Sequence, residues 1–207
     1  MATIKNLLFD LGGVIMDIDR ERCVRSFERL GLRDASSYFG DYGQQGPFEA
    51  IEKGTIGVDE FHRVLRDVLP GVDDGQIDRA FNAFLVGIPA RRLEWLRELR
   101  GRYGIYLLSN TNAVMWDSRI ASAFRAECRE REDYFDGMVM SFEAKALKPG
   151  AEIFRYACDK LGIRPEETLF LDDSLANVEA ARALGFAGAQ VPPGVEFMDI
   201  LKEKGLA

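Results

Sequence analysis

The sequence predicts an α/β fold, a doubly wound parallel sheet that carries a small helical insertion after its first strand. Three observations point to it. Short, almost wholly apolar runs recur along the chain, as strands buried on both faces require. Amphipathic helical stretches separate those runs, which calls for parallel pairing with crossover connections. One block, residues 17–86, keeps a helical period throughout and shows no strand signal.

Residues 4–9 form the first strand, with Lys5 and Asn6 its only polar members. Asp10 stands where that strand stops, and Gly12-Gly13 lets the backbone turn sharply and approach a ligand. Inside the insertion, Val24, Phe27 and Leu30 mark a helix stopped at Gly31, followed by a glycine-punctuated aromatic loop over residues 38–43. Phe48, Ile51 and Ile56 flank a turn at Gly54 and Gly57. Val58, Phe61, Val64, Leu65, Val68 and Leu69 then make a helical stripe closed by Pro70-Gly71. Asp73 and Gln76 have capping-box spacing ahead of Ile77, Ala80 and Phe81.

From Pro89 the alternation resumes. Leu93, Leu96 and Leu99 mark a helix, residues 105–108 a strand, and Val114, Ile120 and Phe124 another helix. Residues 137–140 form the third strand, a loop carries Lys145 and Lys148-Pro149, and a helix runs through Ile153, Phe154 and Ala157. Residues 168–171 form the fourth strand, Val178, Ala181 and Leu184 lie on the next helix, and residues 187–191 close the sheet before a short terminal helix. The expected organisation is a Rossmann-like core over 1–16 and 87–207, with the helical domain over 17–86.

With 207 residues, 47% of them hydrophobic, the chain can bury one good-sized core and a small second unit. A formal net charge of -7 argues against nucleic acid and anionic membrane as partners. Cys23, Cys128 and Cys158 are odd in number and lack metal-ligand spacing, so they read as small hydrophobes of a reducing compartment, and the expected location is cytoplasmic. The N-terminal apolar run is cut by Asp10 and two glycines, which fits neither a signal peptide nor a membrane span. A monomer is expected.

The chemistry lies at the strand ends. In open α/β sheets ligands bind outside the carboxyl ends of strands. Those ends here supply Asp10, Ser109-Asn110, Ser141 with Lys148 beyond it, and Asp172-Asp173. Three carboxylates cannot gather without a cation, and hard oxygen ligands select Mg²⁺. The Ser109 hydroxyl and the N–H groups of residues 110–112, at a helix start, would cradle an anion, and Lys148 would add positive charge. These are the parts for handling a phosphoryl group, so a small phosphorylated metabolite is the expected partner.

Four segments in this order resemble the haloacid dehalogenase superfamily, over essentially the whole chain. Phe9-Asp10-Leu11-Gly12-Gly13-Val14 is similar to its nucleophile motif and Leu108-Ser109-Asn110-Thr111-Asn112 to its phosphate-binding motif. Ser141-Phe142-Glu143 with Lys148-Pro149 resembles the third motif, and Leu171-Asp172-Asp173-Ser174 the metal-binding fourth. More narrowly, the Asp-Leu-Gly opening and the Ser-Asn-Thr-Asn turn resemble α-D-glucose-1-phosphate phosphatases and the phosphatase half of soluble epoxide hydrolases. The resemblance implies a capped phosphatase in which Asp10 attacks phosphorus to form an aspartyl-phosphate that water opens. It implies Mg²⁺ on the Asp10 carboxylate, the Gly12 carbonyl and Asp173, with Asp172 a direct or water-mediated ligand. Ser109 and Asn110 would then bind the transferring oxygens, with Lys148 neutralising charge.

One departure stands out. Phosphatases of this superfamily mostly carry a second Asp two residues after the nucleophile, as general acid and then base; here that position is Gly12. Either the leaving group needs little protonation, as with the anomeric hydroxyl of a sugar 1-phosphate, or Asp17, Asp19 or a cap residue substitutes, or turnover is slow or absent. The first is preferred. A binding protein of the same fold and a dehalogenase-type hydrolase are the alternatives. His62 reads as a surface or structural residue of a cap helix, Trp116 as helix packing, and Asn177 as a group that orients Asp172 or its loop. Tyr38, Phe39, Tyr42, Phe48 and Glu49 are the specificity candidates, of which the cap's own core should claim about half.

Overall fold

A computed structural model describes residues 3–40, 43–125 and 128–207. Its strands are β1 (Asn6–Phe9), β2 (Asp17–Ile18), β3 (Leu85–Gly87), β4 (Gly104–Ser109), β5 (Gly137–Met140), β6 (Thr168–Asp172) and β7 (Ala187–Gln190). Five of them form one sheet in the order β5-β4-β1-β6-β7, every neighbouring pair parallel. Leu7, Phe9, Leu107, Leu169 and Leu171 feed one apolar cluster, while Leu8, Leu108, Val139 and Phe170 feed the other. Alternate residues of each strand therefore enter different cores, which is why these strands read as continuous apolar runs.

The helices are α1 (Arg20–Arg29), α2 (Pro47–Glu52), α3 (Val58–Val68), α4 (Asp74–Asn82), α5 (Ala90–Arg100), α6 (Ala113–Met115), α7 (Ala121–Phe124), α8 (Ser141–Ala144), α9 (Ala151–Leu161), α10 (Leu175–Ala183) and α11 (Phe197–Glu203). Between α6 and α7 a π-turn over Trp116–Ile120 keeps the segment helical. Phe154, Ile153 and Ala157 of α9 and Val178 and Ala181 of α10 are all fully buried.

Helices α1 to α4 are the insertion. Their shared core is aromatic: Phe39 and Phe48 stand 4.6 Å apart between ring centroids, Phe27 and Phe48 5.0 Å, and Phe48 and Phe81 5.2 Å. Asp73 and Gln76 close the capping box that starts α4. His62 is buried in this domain, with Nε2 2.7 Å from Asp78 Oδ1. Phe39 and Phe48, expected among the specificity candidates, are fully buried in this aromatic core, so they hold the cap together. Tyr38 leans on Phe48, while Glu49 is exposed. Tyr42 lies outside the described residues.

The insertion is not wholly helical. β2 pairs antiparallel with β3, Asp17 opposite Gly87, where the chain leaves the sheet and returns to it. A strand of two or three residues has no period for a sequence to display, so the helical reading of 17–86 missed both.

Candidate active site

The sheet order puts β1 between β4 and β6, where the chain reverses its direction of strand addition, and the predicted residues gather there at the strand ends. Asp10 leaves β1 with its N–H donating to the Leu171 carbonyl at 2.8 Å, which sets its carboxylate beside the end of β6. Lys148 arrives from the loop before α9 and is buried to 4% exposure. Its Nζ stands 2.8 Å from Asp10 Oδ1 and 2.7 Å from Asp172 Oδ2, and donates to the Leu108 carbonyl at 3.0 Å. All three ammonium protons are therefore placed. Burial works against the charged amine, but Asp10 and Asp172 outweigh it and hold its pKa above the ordinary range.

Asp172 is fully buried, and both of its oxygens are engaged. Oδ2 accepts from Lys148, and Oδ1 accepts from the Ser174 N–H at 2.9 Å and from Asn177 Nδ2 at 3.0 Å. Asp173 is half-buried, and Gln190 Nε2 donates to its carbonyl at 2.9 Å. Gly13, at φ +72, permits this approach: a Cβ there would lie 2.5 Å from Asp173 Oδ2.

Asp10, Asp172 and Asp173 each offer an oxygen within 4.8 Å of the others. Burial pushes Asp10 up to about 7; the Lys148 charge opposes that and the two neighbouring carboxylates add to it. Burial, then Asp172, pushes Asp173 up to about 6. Three carboxylates against one ammonium leave the cluster short of positive charge, and a hard divalent cation on oxygen donors fits that deficit.

Ser109 is buried, and its Oγ has only a marginal bond, 3.4 Å to the Asn110 carbonyl, so the hydroxyl is available to an anion. Asn110 is occupied differently from the expectation. Its Oδ1 accepts from the Lys148 N–H at 2.9 Å and its Nδ2 donates to the Lys148 carbonyl at 3.0 Å, so the side chain clamps the lysine's backbone. The Thr111 N–H is also taken, by Ser141 Oγ at 3.0 Å, and Asn112 accepts from the Met115 N–H to cap α6. Trp116 packs under the Arg131 guanidinium, 4.2 Å from the ring centroid, away from the cleft.

The cap docks over this floor through backbone. Ser141 Oγ lies 2.7 Å from the Glu52 carbonyl, and Lys145 Nζ donates to the Gly54 carbonyl at 2.6 Å. Between them the cleft has two compartments. An inner one of about 90 Å³ is lined by Asp10, Gly12, Gln44, Glu52, Lys148 and Asp173, among others. An outer one of about 730 Å³ is lined with charged groups, Glu49, Lys53, Lys145 and Glu152, and shares Gln44, Glu52, Asn110 and Lys148 with the first. Sequence reasoning passed over Glu52, although one signal was present. Glu52 stands four residues after Phe48 and one after Ile51, a charge on the apolar face of a short helix.

The haloacid dehalogenase-like hydrolase family profile matches residues 4–185. The chain is 35% identical over 195 residues, 94% of its length and 95% of the relative's, to a D-ribitol-5-phosphate phosphatase of Bacteroides thetaiotaomicron. A haloacid dehalogenase family enzyme of the same organism, solved with magnesium and inorganic phosphate, superposes with a TM-score of 0.89 at 40% identity, over 95% of this chain and 98% of that one. A predicted hydrolase of this family from Porphyromonas gingivalis superposes with a TM-score of 0.91 at 31% identity, over the full length of both chains. The four ordered motifs, the parallel sheet and the capped carboxylate–lysine site thus belong together: the chain is a member of the haloacid dehalogenase-like hydrolase family.

Proposed function

We propose that the protein is a Mg²⁺-dependent phosphatase that hydrolyses a small phosphorylated sugar or polyol through an aspartyl-phosphate on Asp10. The observation that carries this reading is the Asp10–Lys148–Asp172 chain, with ammonium-to-carboxylate distances of 2.8 and 2.7 Å at the strand ends. Lys148 orients the Asp10 carboxylate and offsets negative charge as a phosphoryl group approaches it. Asp172, held by Ser174 and Asn177, keeps Lys148 aimed. The Ser109 hydroxyl, held only by a marginal 3.4 Å bond, supplies a donor to a phosphoryl oxygen, and the Asn110 side chain supports that pocket by fixing the Lys148 backbone.

Asp10, the Gly12 carbonyl and Asp173 would hold Mg²⁺, with Asp172 contributing charge beside them. When bound, the ion screens the repulsion between an anionic nucleophile and an anionic phosphate. In the first half-reaction an Asp10 oxygen forms a bond to phosphorus while the bond to the leaving oxygen breaks. In the second, water attacks the same phosphorus and releases phosphate and the free carboxylate.

Two leaving groups each have one observation in their favour. Gly12 in place of a second Asp favours a sugar 1-phosphate, whose anomeric oxygen departs with little protonation. The likeness to a D-ribitol-5-phosphate phosphatase favours a phosphate on the terminal carbon of a polyol. The test is phosphate release from sugar 1-phosphates, sugar 6-phosphates, ribitol 5-phosphate and nucleotides, with and without Mg²⁺. Asp10→Asn runs beside it, with a folded-state thermal melt as control. Mg²⁺-dependent release that Asp10→Asn lowers by on the order of 10⁴-fold or more supports the reading. Undiminished turnover in that variant sinks the covalent route. Halide release without Mg²⁺, or phosphate binding with no turnover, replaces the phosphatase with one of the alternatives.

A further inference from the structure

We infer that Glu52, on the cap, is the general acid and then the general base of this reaction, taking the place left empty at Gly12. The inference rests on the phosphatase reading above and deepens it.

Position comes first. The acid must reach the oxygen that links the phosphoryl group to the rest of the substrate, at the boundary between the phosphoryl compartment and the chamber for the leaving group. Gly43, Gln44, Glu52, Asn110 and Lys148 line both compartments. Of these only Glu52 and Lys148 carry an ionisable side chain, and the three protons of Lys148 are committed to Asp10, Asp172 and the Leu108 carbonyl.

The other carboxylates named by the sequence are engaged elsewhere. Asp17 pairs with Arg92 at 2.7 Å, and Asp19 caps α1 by accepting the Arg22 N–H at 2.9 Å. Neither lines the cleft.

Glu52 is, in addition, costly to bury without a purpose. It is 7% exposed, and no Lys, Arg or His among the described residues forms an ion pair with it. The group stays protonated near neutrality: burial first, then the charges of Glu49 and Asp10, push it up to about 8, against a hydrogen bond from Gln44. Burial first, then the charge of Glu52, pushes the Cys23 thiol of α1 far above its ordinary range. Backbone anchoring fixes the side chain's origin, because the Glu52 carbonyl is held by Ser141 Oγ at 2.7 Å.

Protons balance as follows. As the Asp10 oxygen bonds to phosphorus, the Glu52 carboxyl gives its proton to the departing oxygen, which leaves as a neutral alcohol. The Glu52 carboxylate so formed takes a proton from the water that attacks the aspartyl-phosphate, and both carboxyl groups return to their starting states. A proton donor of this kind removes the need for an acidic anomeric leaving group, so polyol phosphates with a primary alcohol become substrates alongside sugar 1-phosphates.

The test compares kcat/KM, which reports the steps up to leaving-group departure, on two esters with Mg²⁺ present. One is ribitol 5-phosphate, whose alkoxide needs a proton; the other is p-nitrophenyl phosphate, whose phenolate does not. Glu52→Gln is expected to lose about 10²–10⁴-fold on the first and less than about tenfold on the second. Equal losses on both esters, or no loss on the first, overturn the assignment. If Glu52→Gln does not accumulate as folded protein, a series of phenyl and alkyl phosphates on the wild-type protein decides. A shallow dependence of log kcat/KM on leaving-group pKa supports a donor in the site, and a steep one overturns it. Wild-type protein that turns over none of these esters removes the phosphatase reading, and the role of Glu52 with it.

Discussion

Lys148 is the residue on which the site's electrostatics turn. One ammonium stands between Asp10 and Asp172 with its protons fully placed, so its removal leaves two buried carboxylates facing each other. Breaking a buried pair in this way costs about 3–5 kcal/mol, mostly from the charges left behind. Lys148→Met is therefore expected to lose turnover and stability together, read by kinetics and by denaturant unfolding of the metal-free protein. Asp10→Asn is expected to lose turnover alone, because Lys148 keeps Asp172 and the amide keeps the carboxylate's shape. An unchanged unfolding midpoint for Lys148→Met would count against the pair as a structural element.

At the scale of elements, the join between cap and core rests on a glycine. Gly54 sits at φ +67, and a Cβ there would stand 2.1 Å from the Phe142 carbonyl oxygen. That contact is backbone, which cannot move aside as a flexible side chain can, and the positive φ adds strain for any L-residue. Gly54→Ala is expected to displace the α2–α3 turn, with Glu52 carried along. The predicted outcome is a fall in kcat/KM of tenfold or more, about 1.4 kcal/mol in the transition state, with Mg²⁺ affinity nearly unchanged. A matched loss of Mg²⁺ affinity would mean that the core floor had shifted instead. Asn110 and Ser141 act at the same scale: one clamps the Lys148 loop and the other ties the turn after β4, α8 and α2 to a single hydroxyl.

For the whole molecule, the consequence is a stability that depends on pH and on metal. Asp10 rises from 3.8 to about 7, Asp173 from 3.8 to about 6 and Glu52 from 4.5 to about 8. A carboxyl whose folded pKa lies above its unfolded one holds its proton more tightly when folded. Its contribution is complete below the unfolded value and is lost as pH climbs through the folded one. The metal-free protein should therefore lose stability between about pH 4 and pH 8. A divalent cation favours the ionised cluster and offsets that loss, so the rise in Tm on adding Mg²⁺ is expected to be larger at pH 8 than at pH 5. Thermal melts at the two pH values, with and without Mg²⁺, check it; an equal rise at both would contradict the charge deficit assigned to the cluster. No helix among the described residues is long and apolar enough to cross a membrane.

What the sequence by itself determined is whatever depends on order and period. Apolar runs ended by Asp10, Ser109 and Asp172-Asp173 implied a parallel sheet and its functional edge, because a strand buried on both faces must be apolar until it reaches solvent. The short strands β2 and β3 escaped that logic, being too brief to show a period. Side-chain assignments depended on partners far away in the chain. Asn110 meets the Lys148 backbone across 38 residues, and Ser141 meets Glu52 across 89. Phe39 and Phe48 look alike in a sequence whether they line a pocket or fill a cap core; only packing against Phe27 and Phe81 decided between them. Glu52 is the sharpest case. Its sequence neighbours mark a helix end, whereas its burial in the cleft that Asp10 also lines exists only in the folded protein, because desolvation and the field of Asp10 are properties of the folded site.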